Sequence, residues 1–283
     1  MAKRALDRAG EIGRSILTVY RDTLWAPFVK GIRRYQMIRE GDRIAVCISG
    51  GKDSMLLAKM MQLLQKHYDV PFEVTFLVMD PGYNKENRAQ IEENLKTLQI
   101  PAVIFESDVF EVANVQEHNP CYLCARMRRG CLYRKARELG CNKIALGHHF
   151  DDVIGTTVMS MFWSAKLEAM MPMVHARNFD DMTLIRPMYL VHEEDIIAWR
   201  DENALRFIRC ACRFTGHAET DEHASKRLET KLLLKRLREN NPDIEKNIFN
   251  SIHNVDMDTF PAWKKNGESH DFLEHFYDPD QNG

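Results

Sequence analysis

A short apolar run, Arg43–Ile48, ends without a spacer in Ser49-Gly50-Gly51-Lys52-Asp53-Ser54. Met55–Lys66 follows, with Leu56, Met60 and Leu63/Leu64 recurring at helical spacing. A strand that turns through two glycines into a helix is an anion cradle. The glycines let backbone approach a phosphate closely, and the N–H groups and dipole of the helix favour negative charge. Lys52 and the hydroxyls of Ser49 and Ser54 add donors. The loop is not a Walker A motif, because Val46 stands where that pattern needs its first glycine and Asp53 where it needs Ser or Thr. An aspartate beside a phosphate repels it unless a divalent cation lies between, so Asp53 is read as a Mg²⁺ ligand. The plain alternative is a tight strand-to-helix turn that binds nothing.

From Gly41 onward, strand-length apolar runs alternate with helix-length segments. The strands are read at 43–48, 72–79, 102–106, 143–146 and 183–186, with helices at 86–99, 121–139, 152–163 and 193–202. Such alternation implies an α/β fold, a doubly wound parallel sheet of about five strands with ligands at their carboxyl ends. Residues 11–37 read as helical, with a turn at Trp25-Ala26-Pro27. Beyond about residue 213 only helices and a polar end are expected, with 278–283 frayed. The expected divisions are a basic helical segment 1–40, the catalytic domain 41–212 and a helical appendage 213–283. No run is long and apolar enough to span a membrane, and the basic start lacks the apolar stretch of a signal peptide, so a cytoplasmic protein is expected.

Seven cysteines without an export signal argue for metal or redox use rather than a disulfide framework. Cys121-Tyr122-Leu123-Cys124 and Cys210-Ala211-Cys212 stand apart from Cys47, Cys131 and Cys141, which are read as structural. A C-x-x-C pair chelates a metal, and a distant third thiolate completes an iron–sulfur or a zinc site. Spacing alone leaves the two metals open.

The hexapeptide Ser49–Ser54 after a strand is the signature of the PP-loop, or N-type ATP pyrophosphatase, family. That resemblance implies an adenine nucleotide alpha hydrolase-like fold and cleavage of ATP between its α and β phosphates, with AMP left on a substrate oxygen. Cys121–Gly130, Gly41–Ile44 and Ile144–Asp152 closely resemble the tRNA 2-thiocytidine synthetase branch, and the likeness runs from about Gly41 to Cys210. It implies a 4Fe–4S cluster on Cys121, Cys124 and Cys210 with one iron open. The family's second C-x-x-C is C-x-C here, which makes Cys212 a competitor of Cys210. The same resemblance assigns Gly147 and Asp152 to a second ATP motif, the backbone of Met79 to adenine, and Lys52, Asp53, Cys121 and Cys124 to catalysis. It also implies a tRNA substrate, a sulfur donor such as a cysteine desulfurase, and a homodimer.

Read without the resemblance, Asp151 is a helix N-cap with Asp152 in the first turn, and His148 and His149 shape a pocket. Asp80 either meets a nucleotide at the end of its strand or serves the Pro81-Gly82 turn. The fifteen methionines, Met159, Met161, Met170, Met171 and Met173 among them, read as core filler. The net charge of −2 hides basic clusters at 1–34, 126–137 and 226–238, able to hold a polyanion or merely solvated. The expected activity is ATP-dependent thiolation of a tRNA pyrimidine. Its rivals are a lysidine synthetase-like ligase without sulfur, a sulfur transferase for a small molecule, and a nucleotide-binding metal protein without catalysis.

Overall fold

The computed structural model describes residues 6–107, 120–208 and 222–276, and of 120–125, 222–225 and 275 the backbone alone. The chain divides into two compact units, 1–230 and 231–283. The first is built on a six-stranded sheet in the order β3-β2-β1-β4-β6-β5. Its strands are β1 (Arg43–Ile48), β2 (Glu73–Asp80), β3 (Ala102–Glu106), β4 (Lys143–Ala145), β5 (Met173–Ala176) and β6 (Phe179–Ile185). All neighbours run parallel except β5, which pairs antiparallel with β6 as an edge hairpin. The expected parallel core is therefore present, with one antiparallel strand added.

Burial explains the layers. Five of the six β1 residues are buried, as expected of a central strand covered on both faces. Alternate residues Ala45 and Cys47 join Leu77, Ile144 and Leu184 against Tyr133 and Ala136 of α5 (Pro120–Glu138). Side chains alternate along a strand, so Ile44, Val46 and Ile48 serve the opposite face, where α3 (Lys52–Leu64) packs. Nine of the thirteen α3 residues are buried, because further helices cover its outer side. These are α1 (Arg8–Leu17) and α7 (Glu193–Glu202), and α1 also touches α4 (Lys85–Leu98). The N-terminal helical region continues as a π-helical turn, Arg21–Trp25, into α2 (Ala26–Arg34), where Pro27 sits at the tolerated first turn.

The chain runs β1-β2-β3 outward, then returns to place β4 on the other side of β1. This reversal opens a crevice at the carboxyl ends of β1 and β4, where open α/β sheets take their ligands. At the opposite end the two strands are pinned by a buried ion pair. The Lys143 ammonium donates to Asp42 at 2.6 Å and to the Met37 carbonyl at 3.0 Å. Asp42 also accepts from Arg39 N–H at 2.6 Å and from the Asn142 amide at 2.9 Å.

Two expectations change. Met161 and Met171 are exposed rather than core filler, lying in and after the end of α6 (Phe150–Ser164), where the chain leaves the sheet. The second unit is not all helical. After the end of α8 (Glu222–Asn240) and α9 (Ile244–Ser251) comes a hairpin, β7 (Ala262–Lys265) and β8 (Glu268–Asp271), then the short α10 (Leu273–Phe276). Its two-residue loop, Asn266-Gly267, has both residues at positive φ, the backbone twist that closes tight hairpins. The expected fraying of 278–283 lies outside the described residues. Among the described residues no helix is long and apolar enough to cross a membrane.

The Asp42–Lys143 pair gives the first prediction. Asp42→Ala leaves a buried ammonium unpaired and is expected to cost about 3–5 kcal/mol of unfolding free energy, read from urea denaturation. Asp42→Ala combined with Lys143→Met is expected to recover most of that loss.

Candidate functional site

The loop Ser49–Ser54 lies at the crevice. Gly51 is the N-cap of α3, and no side chain caps that end. The first amides of the helix are thus left for a ligand. The loop is braced from within: Ser54 Oγ accepts from Ser49 N–H at 3.1 Å and donates toward the Gly51 carbonyl at 3.0 Å. Gly50 has φ +86°, and a Cβ there would come within 2.7 Å of Ile91 and Ile208. Gly147, at the end of β4, packs on the loop so closely that a Cβ would stand 3.1 Å from the backbone of Asp53 and Ser54. Glycine is required at both places, for conformation at Gly50 and for close approach at Gly147.

Charge is arranged in two groups. Lys52 is held by two carboxylates, Asp53 at 2.9 Å and Glu193, the first residue of α7, at 3.0 Å. Burial alone lowers the Lys52 pKa, but these two partners together leave it raised. Asp53 thus meets a cation already in the chain. Glu193 is positioned in turn by its N–H, which donates to Asp151 at 2.8 Å. Sequence reasoning missed Glu193, whose only signal was its place in an acidic run after β6.

The second group lines a cavity of about 380 Å³ bounded by Ser49, Asp53, Ser54, Met79, Arg128, Arg129, Gly147, His148 and Asp152. The structure thus gathers two loop serines and Asp53 with Met79, Gly147 and Asp152, all singled out from the sequence. Helix α6 starts one residue before Asp151: its N-cap is His149, whose N–H donates to Asp152 at 3.1 Å. Asp151 is therefore in the first turn rather than the cap, because buried Phe150 is drawn into the helix against His192. The carboxyl of Asp80 belongs to its turn. It accepts from Gly82 and Tyr83 N–H at 2.9 and 2.7 Å and pairs with Arg88 at 2.6 Å. Burial pushes that carboxyl up, yet these donors hold it below the usual range.

The adjacent histidines differ. Burial, then the charge of Arg186, lowers His148 to about 4. Burial also opposes protonation of His149, but Asp151, Asp152 and Asp53 outweigh it and raise its pKa. His148 Nδ1 and Arg186 Nε are both buried without a hydrogen-bond partner. Arg186, read from the sequence only as the end of a strand, belongs to this site.

Of the cysteines, Cys47 and Cys141 are buried in the core, and burial pushes the Cys47 thiol up to about 12. Cys131 is half-buried on α5 near Met79. Cys121 and Cys124 fall in the first turn of α5, but their side chains, like Cys210 and Cys212, lie outside the described residues. Among the described residues no group of three metal-ligating side chains is assembled.

Residues 16–212 match the PP-loop domain family. A tRNA-cytidine(32) 2-sulfurtransferase of Geotalea uraniireducens is 37% identical over 229 residues, covering 80% of this chain and 88% of that protein. The protein of the same description from Cupriavidus pinatubonensis is 36% identical, over 82% of this chain and 75% of that one. Among solved structures, the U34-tRNA thiolase NcsA from Methanococcus maripaludis, described with its 4Fe–4S cluster, superposes with a TM-score of 0.64. At 19% identity over 81% of this chain and 76% of that one, it supports the fold alone.

Two outcomes follow from the geometry. Gly147→Ala is expected to displace the loop and weaken ATP binding roughly tenfold or more, by calorimetry, while the far-UV spectrum is retained. By histidine NMR at pH 6, His148 is expected to be neutral and His149 protonated. Since His148 takes up its proton at lower pH in the folded chain than when unfolded, it favours folding above pH 6.5. That contribution is lost as pH falls from 6.5 towards 4, so His148→Gln is expected to flatten the acid side of the stability profile.

Proposed function

The chain belongs to the PP-loop family, in its tRNA 2-thiocytidine synthetase-like branch, and from that premise we propose that it replaces the 2-keto oxygen of a tRNA cytidine by sulfur at the expense of ATP. The observation that carries this reading is the uncapped α3 N-terminus braced against Gly147, with Lys52 at its mouth and Met79 and Asp152 on the same cavity. The cradle fits a pyrophosphate: no side chain caps its amides, and a Cβ at Gly50 or Gly147 would clash with the residues that hold the loop in place.

In the first half of the reaction the loop amides and Lys52 hold the β and γ phosphates, and the backbone at Met79 takes adenine. The cytosine O2 attacks the α-phosphorus, the bond to the β-phosphate breaks, and charge developing on pyrophosphate falls on Lys52 and the helix terminus. Asp53, once Lys52 turns to phosphate, is the residue that would hold Mg²⁺, which shields the phosphates as a Lewis acid. In the second half sulfide adds at C2, the C–O bond breaks, and AMP leaves with the former keto oxygen. Adenylation is needed because an amide-like oxygen is otherwise a poor leaving group.

Cys121, Cys124 and Cys210 would hold a 4Fe–4S cluster, which supplies an iron without a protein thiolate where sulfide can be carried. Three thiolates suit that group, and the local sequence supports the place: Ile208, two residues before Cys210, abuts Gly50 and Gly51 of the loop. The chemistry is assigned to residues 41–212 in a cytoplasmic protein, with a cysteine desulfurase as the class of sulfur donor and a homodimer as the working unit. Cytidine 32, named in the relatives' descriptions, is the first base to test.

After anaerobic purification the chain is expected to hold about four irons and four sulfides. Both are lost in Cys121→Ala and Cys210→Ala and kept in Cys212→Ala. ATP is expected to yield AMP and pyrophosphate with a transcript carrying cytidine 32, and not with one carrying adenosine there. Stoichiometric zinc without labile sulfide overturns the sulfur chemistry. AMP formation that survives loss of both cysteines, with no sulfur incorporated, favours a sulfur-free ligase.

A further inference from the structure

Arg186 follows the last residue of β6, whose Ile185 is paired with Ala145 of β4, so it stands at the carboxyl edge beside the Gly147-His148 turn. Its guanidinium is accounted for at one end only. Nη1 donates to the Met171 carbonyl, and the backbone N–H of Arg186 donates to the Pro172 carbonyl at 3.0 Å. Those two bonds tie down the segment before β5. They leave Nε buried without a partner, and they leave the charge unmet, for Arg186 makes no ion pair among the described residues. Asp152 is the nearby carboxylate, and it is engaged by the His149 N–H. Against that one carboxylate, Arg186 also faces a second cation, Arg129 of α5, which lines the cavity with Arg128. The neighbour on the β4 side is neutral His148, with its own Nδ1 unpartnered.

A half-buried guanidinium facing like charge is unfavourable unless an anion joins it, and phosphate oxygens suit the planar fork of arginine best. Among the described residues nothing bonds its Nε or pairs with its charge at ion-pair distance, which leaves room for an anionic ligand. We propose that Arg186, with Arg129, forms a phosphoryl-binding site distinct from the loop Ser49–Ser54, on the β4–β6 side of the crevice. The loop and Lys52 serve the pyrophosphate that leaves first, so Arg186 serves the phosphate that remains. In the proposed reaction, on which this inference rests, that is the AMP phosphate expelled when sulfur enters. A backbone phosphate of the RNA beside the target base presents the same chemistry and is the other source.

The test compares the anaerobically purified full chain with Arg186→Gln, Arg186→Lys and, as a control on the exposed hairpin turn, Arg177→Gln. Binding of AMP, of pyrophosphate and of an unmodified tRNA transcript is measured, the last across a range of salt, with melting temperature as the check on folding. Arg186→Gln is expected to weaken AMP binding about 10- to 100-fold while pyrophosphate is unaffected, with Arg186→Lys intermediate and Arg177→Gln like wild type. If the RNA backbone is the source, AMP binding holds and tRNA affinity falls instead. The slope of log affinity against log salt then becomes shallower by roughly 0.7–0.9 in that variant. AMP, pyrophosphate and tRNA affinities all unchanged in a folded Arg186→Gln chain overturn the proposal, as does equal weakening of AMP and pyrophosphate. Failure of the wild type to form AMP from ATP would count against the thiolation reading and leave the phosphoryl site to stand or fall on binding alone.

Discussion

The structure turns on unfilled hydrogen bonds. Helix α3 begins at Gly51 with no capping side chain, and its first amides point out of the sheet edge instead of being satisfied by the chain. Such an end costs free energy unless water or an anion takes it, and the helix dipole makes an anion the better partner. The surrounding residues serve that end. Ile91 and Ile208 close around Gly50 from below, Gly147 presses on Asp53 and Ser54 from β4, and the Tyr83 hydroxyl donates to the Ser49 carbonyl at 3.3 Å. Strand order supplies the space: because β4 returns to the far side of β1, the two connections diverge there and leave the crevice open.

Around this point the charges are sorted by flank. Towards α7, carboxylates dominate, with Asp53 and Glu193 gripping Lys52, and Asp151 holding Glu193 in place. Towards α5 and β6, arginines dominate, with Arg128 and Arg129 on the cavity and Arg186 beyond it. A nucleotide triphosphate spanning the crevice would replace the carboxylate partners of Lys52 on one side and, on the other, meet cations that make no ion pair among the described residues. His148 lies between the flanks and stays neutral because burial and Arg186 both oppose its protonation. Such a group can accept or donate a hydrogen bond near a reacting base without adding charge.

The legible part of this site was the part encoded by backbone demands. Ser49–Ser54 could be read because glycines, lysine and a following helix must occur in that order to cradle phosphate. β1 and β3 were found residue for residue: β1 because a buried parallel strand leaves a short, unbroken apolar run, and β3 because, though a partly exposed edge strand, it keeps the apolar run Ala102–Phe105. β5 was missed, since an edge strand reading Met-Val-His-Ala, half of it exposed, carries little apolar alternation. The hairpin at 262–271 had its signal in Asn266-Gly267, a pair that favours the tight turn, hidden in a charged stretch read as part of a helical appendage with a polar end. Glu193 and Arg186 could not be read at all. Their roles depend on which strand ends become neighbours, and that is a property of the strand order rather than of any local pattern.

The cysteines obey the same division between backbone and topology. Cys47 lies one residue from the end of β1, closer in sequence to the phosphate loop than any other thiol, yet it faces the α5 side of the sheet among Ala45, Leu77 and Ile144. Burial keeps it protonated, and the same holds for Cys141, whose thiol is also pushed up, so neither can act as a nucleophile at neutral pH. Cys131, half-buried beside Met79 and Leu132, is part of the packing that fixes α5 against the Met79 side of the cavity. In the proposed reaction, sulfur chemistry would therefore fall to the two pairs flanking this core in sequence. One pair opens α5, the helix that also brings Arg128 and Arg129 to the cavity, and the other follows Ile208, which packs on the loop itself. On that proposal, a helix carrying both the thiols and the arginines would couple sulfur delivery to polyanion binding. Whatever positioned an RNA on Arg128 and Arg129 would then also set the distance between the activated base and the incoming sulfur.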